Sequence, residues 1–216
     1  MIEQEFILDE NQKELLLKDS KYQVMMEWEK PYMEAIIDEV RPTGNVLEIG
    51  FGCGYSATRI QHYNPKSHTI IECDTTVIQK CKDWSEKYKN INIIHNTWQK
   101  VLSSVGEFDF IFFDDYPLET FEEVTKENLL QFRVDQERLF MFIDICLDWH
   151  MKLGSTLSCY LNSSESKLNN FRWKELVIEN PRISYKEKII DIEIPKNCNY
   201  FKGNNKVVIP IIKKVG

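Results

Sequence analysis

The stretch VLEIGFGCGYS, residues 46–56, places glycines at every second position, Gly50, Gly52 and Gly54. A backbone without Cβ atoms, directly after an apolar run, can approach a ligand closely. Carboxylates follow at Glu72 and Asp74, about twenty residues on, where an acidic side chain can accept hydrogen bonds from ribose hydroxyls. A further carboxylate, Asp114, ends the apolar run FDFIFFD. Ligands of open α/β sheets sit beyond the C-terminal ends of the strands, so Asp114 is expected at the same crevice as the glycines. The chemistry on offer is nucleoside binding beside a carboxylate able to hold a cation or receive a proton.

The glycine spacing discriminates between nucleotides. A dinucleotide fold uses G-x-G-x-x-G, with the third glycine packing helix against strand. Here that third position is Tyr55. The pattern E-x-G-x-G-x-G, beginning at Glu48, fits the methyltransferase variant, whose loop admits the methionine portion of S-adenosylmethionine. Glu72 is the first choice for the ribose and Asp74 the second. After the next strand-like run comes HNTW, and Thr97 and Trp98 could line an adenine slot. Trp98 could equally open a helix over 98–104 and pack as core.

Positioning these residues calls for alternating strands and helices. From Gly44 onward, VLEIG (46–50), TIIEC (69–73), INIIH (91–95), FDFIFFD (108–114) and TLSCYL (156–161) read as strands. Residues 55–63, 75–88 and 126–150 carry apolar side chains at helical spacing, such as Val77, Ile78, Cys81 and Trp84. Such alternation implies a parallel sheet covered on both faces. EKIIDIEI (187–194) and NKVVIPIIKK (205–214) break the pattern and read as an antiparallel pair ending the sheet. The expected fold is therefore α/β, Rossmann-like, with a mostly parallel seven-stranded sheet and an antiparallel C-terminal strand. Residues 12–40 read as one or two helices, punctuated by Pro31 and Pro42. One domain is expected, a helical lid over 1–43 and a core over 44–216.

Composition narrows the partners. The 216 residues carry a formal net charge of −7 and a pI near 5.3, so excess cations for phosphate backbones or anionic membranes are lacking. No nucleic acid and no membrane are expected. The first residues, MIEQEFILDENQ, have no apolar segment of a secretory signal, and no long apolar run occurs. Six scattered cysteines, Cys53, Cys73, Cys81, Cys146, Cys159 and Cys198, form no CxxC pair or His-Cys cluster; no metal site is expected. A cytoplasmic protein, monomer or homodimer, is the expectation.

The sequence resembles guanidinoacetate N-methyltransferase. VMMEWEKPYM (24–33) is similar to that family's V-M-x-x-W-E-T-P-Y-M, VLEIGFG (46–52) to V-L-E-V-G-F-G, and DDYPL (114–118) to its D-x-Y-P-L. NCNYF and VVIPIIKK near the end are similar to D-C-R-Y-Y and T-P-L-V-T-K. A related family methylates arginine side chains in proteins. The resemblance implies a class I methyltransferase using S-adenosylmethionine. It implies that Glu29 grips a guanidino group and that Asp114 contacts guanidino group and cofactor and takes the proton. It puts Met25 beside the acceptor and Met33 beside the cofactor, and the backbone amides of Asn162 and Ser163 on the acceptor's carboxylate. The cofactor set is then Met33, Gly50, Phe51, Gly52, Cys53, Gly54, Tyr55, Ser56, Glu72, Cys73, Asp74, Thr97, Trp98 and Asp114. The sequence departs from the family at three places. The stretch after Pro117 is longer, the family has Leu-Thr at 162–163, and no tryptophan precedes Trp28, which leaves Phe6 as the substitute for a lid aromatic.

Two carboxylates suit this chemistry. A guanidinium is a poor nucleophile, with a pKa of roughly 12.5–13.8 by analogy with arginine. One carboxylate can fix its plane through a bidentate hydrogen bond, while a second receives the proton from the attacking nitrogen. The leading reading is transfer of a methyl group to a small guanidino compound, guanidinoacetate to creatine. The alternatives are another guanidino or amino metabolite, an arginine in a protein, an NAD(P)-dependent oxidoreductase, and an inactive ligand-binding relative.

Overall fold

The computed structural model describes residues 4–117, 125, 129–201 and 204–216, and of 129–136 only the backbone. Leu118, at the end of DDYPL, and the first residues of the helix expected from 126 lie outside the described residues.

The apolar runs after Gly44 become strands β4 (Asn45–Ile49), β5 (Ser67–Glu72), β6 (Ile91–His95), β7 (Phe108–Phe113) and β8 (Met151–Cys159). Helices α2 (Tyr55–His62), α3 (Thr75–Ser85), α4 (Trp98–Val101) and α5 (Leu129–Trp149) connect them. With β9 (Ile183–Asp191) and β10 (Lys206–Lys214) they form a seven-stranded sheet in the order β6-β5-β4-β7-β8-β10-β9. β10 inserts between β8 and β9 and runs antiparallel to both. The expected mostly parallel sheet with an antiparallel final strand is what forms.

The period of two explains the two cores. On β4, Leu47 and Ile49 point to one face and Val46 to the other; on β7, Ile111 and Phe113 oppose Phe110 and Phe112. The first face packs on Phe142, Ile143 and Cys146 of α5. The second packs on α2, α3 and an earlier helix, through Ile60, Val77 and Ile36. A strand buried on both faces must be apolar throughout, and Glu48 is the exception on β4. It stays fully buried because Ser56 Oγ donates to it and His68 Nε2 lies 2.8 Å from its second oxygen. That polar cluster sits directly beneath the glycine loop.

The N-terminal expectation needs correction. Residues 12–40 are not a helical pair. A three-stranded antiparallel sheet, β1 (Gln4–Leu8), β2 (Glu14–Lys18) and β3 (Tyr22–Met26), precedes a 3₁₀ turn at Glu27–Glu29 and helix α1 (Lys30–Val40). The reason lies in the turn. Asp19 and Ser20 both adopt positive φ, 55° and 52°, as a tight hairpin connection requires. That turn makes the apolar run of Leu15–Leu17 strand rather than helix. The small sheet is fastened to the core at Gln4, whose N–H donates to Asp74 (2.9 Å), and at Gln23, which donates to the Asn197 carbonyl (2.9 Å) and accepts from Asn199 N–H (2.8 Å).

Candidate active site

β4 and β7 are neighbours, so their C-terminal ends open side by side. The chain leaves β4 at Gly50 with φ +82°, and a Cβ there would lie 2.1 Å from the Asp114 carbonyl oxygen. Gly52, φ +51°, passes against β3: a Cβ would stand 2.9 Å from Met25 Sδ, and that sulfur accepts the Cys53 N–H at 3.3 Å. Only glycine permits both approaches.

Glu72 at the end of β5 holds this loop in place. Its carboxylate accepts from Phe51 N–H (2.9 Å), Cys73 N–H (2.7 Å) and Asp74 N–H (2.8 Å). Burial raises its pKa, and the three backbone donors oppose that rise. Asp74 caps α3 by accepting from Thr76 and Val77 N–H, and its other oxygen takes Gln4 N–H. Trp98, 5% exposed, stacks edge-on to Phe113 and Phe142 and donates from Nε1 to Asp115 Oδ2 (2.9 Å). Arg138 of α5 donates to the same oxygen (2.9 Å). Trp98 opens α4 and packs as core, the second of the two sequence-based readings, and it also lines the cavity.

The opposite wall is acidic. Glu29 emerges from the 3₁₀ turn at only 2% exposure; its Oε1 accepts Met26 N–H (2.9 Å) and the Tyr200 hydroxyl. Burial pushes its pKa up to about 7. Asp114, half-buried just past β7, is held by its N–H on the Ile49 carbonyl (3.0 Å). Burial, and then the neighbouring Glu29 carboxylate, hold its carboxyl well above the usual range. Tyr160 follows β8 and donates its N–H to the Phe113 carbonyl (3.0 Å), which sets it beside Asp114.

A cavity of about 800 Å³ joins the two walls. It brings together Met25, Glu29, Gly50, Gly52, Glu72, Cys73, Asp74, Thr97, Trp98, Asp114 and Asn162, all expected from sequence. Other expected residues stand elsewhere. Met33 is fully buried in the core beneath α1 because it lies on the helix face with Ile36 and Ile37. Phe51 and Cys53 turn their side chains into the same core and reach the site through their backbones. Gly54 caps the start of α2; Tyr55 bonds Glu14 of β2 (3.3 Å) and Ser56 bonds Glu48. Phe6 lies under Lys80 Nζ rather than on the cavity wall.

Ser163 departs most from expectation. Its N–H donates to the Leu161 carbonyl at 2.8 Å, a tight turn that spends one of the two amides assigned to a carboxylate. Asn162 remains on the wall and donates its side-chain amide to the Tyr200 carbonyl (2.8 Å). Sequence reasoning missed Tyr160, Tyr200 and Lys18. Lys18, 4% exposed on β2, donates to the Pro117 carbonyl (3.1 Å) and so ties the N-terminal sheet to the DDYP segment. Tyr200 was within reach, since it belongs to the NCNYF segment; alternation along β2 would have turned Lys18 inward once the strand was recognised.

The sequence profile described as guanidinoacetate N-methyltransferase matches residues 8–214. The chain belongs to that family. The guanidinoacetate N-methyltransferase family and this fold are those of methyltransferases that use S-adenosylmethionine. Among curated relatives, protein arginine N-methyltransferase 2 of Candida glabrata is 32% identical over 158 residues, 64% of this chain and 38% of that protein. Its Saccharomyces cerevisiae counterpart is 35% identical over 117 residues, 50% of this chain and 28% of that protein. The matched part of this chain thus spans well under half the length of these relatives. Among solved structures, spermidine synthase from Thermotoga maritima superposes with a TM-score of 0.64 at 14% identity, covering 99% of this chain and 69% of that one. An O-methyltransferase from Bacillus cereus in complex with SAH gives 0.58 at 14% identity, covering 88% and 82%. At those identities the likeness is one of fold. No helix among the described residues is long and apolar enough to cross a membrane.

Proposed function

We propose that this protein is an S-adenosylmethionine-dependent N-methyltransferase acting on a guanidino nitrogen, with guanidinoacetate as the leading acceptor. The observation that carries this is the pair Glu29 and Asp114, two carboxyls with raised pKa values that line one cavity together with the glycine loop. The reading takes the chain as one domain, with the strands before α1 as lid.

The residues fit S-adenosylmethionine. Gly50 and Gly52 line the cavity at points where the chain passes too close to Asp114 and Met25 for a side chain, so backbone faces the ligand there, and the acidic groups around the cavity suit a sulfonium cation. Gly50, Gly52, Glu72, Cys73, Asp74, Thr97 and Trp98 would hold it, supplying an electrophilic methyl group when bound. An ionised carboxylate offers about four acceptor positions. With three of Glu72's filled by backbone N–H groups, one remains for a ribose hydroxyl.

The chain's own residues do the rest. Glu29, held by Met26 N–H and Tyr200, is fixed well enough to orient a planar guanidinium. The Asp114 carboxyl has no hydrogen-bond partner among the described residues. It is therefore available to receive the proton that the attacking nitrogen loses. A guanidinium entering between them restores both carboxylates to the ionised state, since opposite charge favours it.

A second reading, methylation of an arginine side chain, draws support from Ser163. With its N–H spent on Leu161, the two-amide cradle for a free acceptor carboxylate is incomplete, and an arginine side chain carries none. One experiment separates these readings: incubation with labelled S-adenosylmethionine and a panel of guanidino compounds, amines and arginine peptides. Label on guanidinoacetate supports the first and label on peptide the second. Label on no guanidino group overturns both.

A further inference from the structure

Three tyrosines surround Glu29, and two have their hydroxyls satisfied. Tyr200 donates to Glu29, and Tyr32 donates to the Val208 carbonyl (2.6 Å). The third, Tyr160, buries its hydroxyl with no hydrogen-bond partner. Among the described residues, the Trp28 indole N–H is the other buried side-chain polar atom in that condition, and Trp28 does not line the cavity. An unpaired buried hydroxyl costs about 1–3 kcal/mol, so a folded protein keeps one where something else completes it.

The position says what that is. Tyr160 lines the cavity directly after β8, at the level of Asp114 on the neighbouring β7. Its ring is held against Tyr32, with centroids 5.5 Å apart. Its hydroxyl faces Glu29 closely enough to lower that carboxyl's pKa, at a geometry short of a hydrogen bond, and its oxygen has no donor aimed at it. Two carboxylates flank this spot and both attract a cation with several N–H donors. A phenol oxygen there can accept an N–H from that cation.

We propose that the Tyr160 hydroxyl is a third anchor for the acceptor, accepting a guanidinium N–H that neither Glu29 nor Asp114 takes; this rests on the guanidino reading above. It makes Tyr160 a specificity residue, favouring acceptors that keep several N–H donors on one planar cation. A hydrogen bond to a charged group is worth about 1.5–3 kcal/mol, which is roughly tenfold or more in affinity.

Tyr160→Phe tests this, because it keeps the ring and removes only the oxygen. The probes are guanidinoacetate and an arginine peptide, titrated calorimetrically into protein saturated with S-adenosylhomocysteine, together with steady-state kinetics and thermal melting. The expected result is acceptor Kd and KM raised about tenfold, kcat and S-adenosylhomocysteine affinity little changed, and a Tm equal to or above wild type. A purely structural tyrosine would instead lower Tm and leave acceptor binding alone, and that result overturns the assignment. Wild-type protein that binds neither probe removes the guanidino reading itself. Wild type that binds a probe, with the Phe variant binding equally well, removes only the role of Tyr160.

Discussion

Two carboxylates lining one cavity face very different circumstances. Glu72 is buried yet receives three backbone N–H bonds from the loops it joins. Asp114 is enclosed beside Glu29 with no hydrogen bond to its carboxyl among the described residues, and burial and then the Glu29 carboxylate make it harder to ionise. The wall proposed to hold the nucleoside thus lacks a partner for only one acceptor position of Glu72, whereas the wall proposed to hold the acceptor places two hard-to-ionise carboxyls together, which an incoming cation would relieve. Binding order and pH sensitivity should follow the second wall and cofactor affinity the first.

The sharpest way to break this contrast is Asp114→Asn. Loss of a general base removes about 10²–10⁴ in rate, and kcat should fall by that much while calorimetry finds S-adenosylmethionine affinity changed only a few-fold. Retention of most of the rate would end the assignment of Asp114 as proton acceptor. Gly50→Ala attacks the other wall. Its Cβ would meet the Asp114 backbone at 2.1 Å with φ at +82°, so a loss of about 3 kcal/mol or more in chemical denaturation is expected. A variant of wild-type stability would mean that the strand ends sit further apart.

Glu29→Gln should act on the acceptor alone, raising its KM about tenfold through loss of a charged hydrogen bond and sparing cofactor binding. Its stability signature sharpens the comparison. The folded pKa of about 7 stands above the ordinary 4.5, so the folded state holds the proton more tightly. The stabilisation is full below pH 4.5 and is lost as pH rises through 7. The ceiling of that loss is roughly 3 kcal/mol, and denaturation curves of the Gln variant should lack it. Tyr200, Tyr160 and Asp114 face the same carboxyl, so the wild-type midpoint should also move when a guanidinium binds. The smallest effect belongs to Trp98→Phe. It keeps the packing on Phe142 and removes the bond to Asp115, so a few-fold weaker cofactor affinity is expected with Tm nearly unchanged.

That Gly50, Gly52, Glu72, Asp74 and Trp98 share one cavity was largely legible in the sequence, because each part of that wall is local. Gly50, Gly52, Glu72, Asp74 and Trp98 all follow directly on apolar runs whose period declares them strands, and the sheet topology converts that order into a crevice. The acceptor wall was legible only in part. Asp114 stood out at the end of an apolar run and Glu29 through motif resemblance; Tyr200 was reachable only through its NCNYF segment, and Tyr160 gave no local signal, since a tyrosine after a strand is ordinary core. The lid was misread for a backbone reason: leucines at 15–17 suit helix and strand alike, and two left-handed residues at Asp19 and Ser20 decide the matter. Ser163 shows the same limit at atomic scale, because which carbonyl an amide reaches cannot be seen in residue types.

The bond between Tyr200 and Glu29 spans 171 positions of chain, whereas the glycine loop and Glu72 lie 21 apart at Phe51. During synthesis, then, the nucleoside crevice can take shape while the chain is still growing, but the acidic end has to wait for residue 200. Closing so long a loop is entropically expensive and contributes late to folding. Amide hydrogens around Glu29 should accordingly exchange with solvent sooner than those of β4 and β5, and mild denaturant should silence acceptor recognition before it releases the nucleoside.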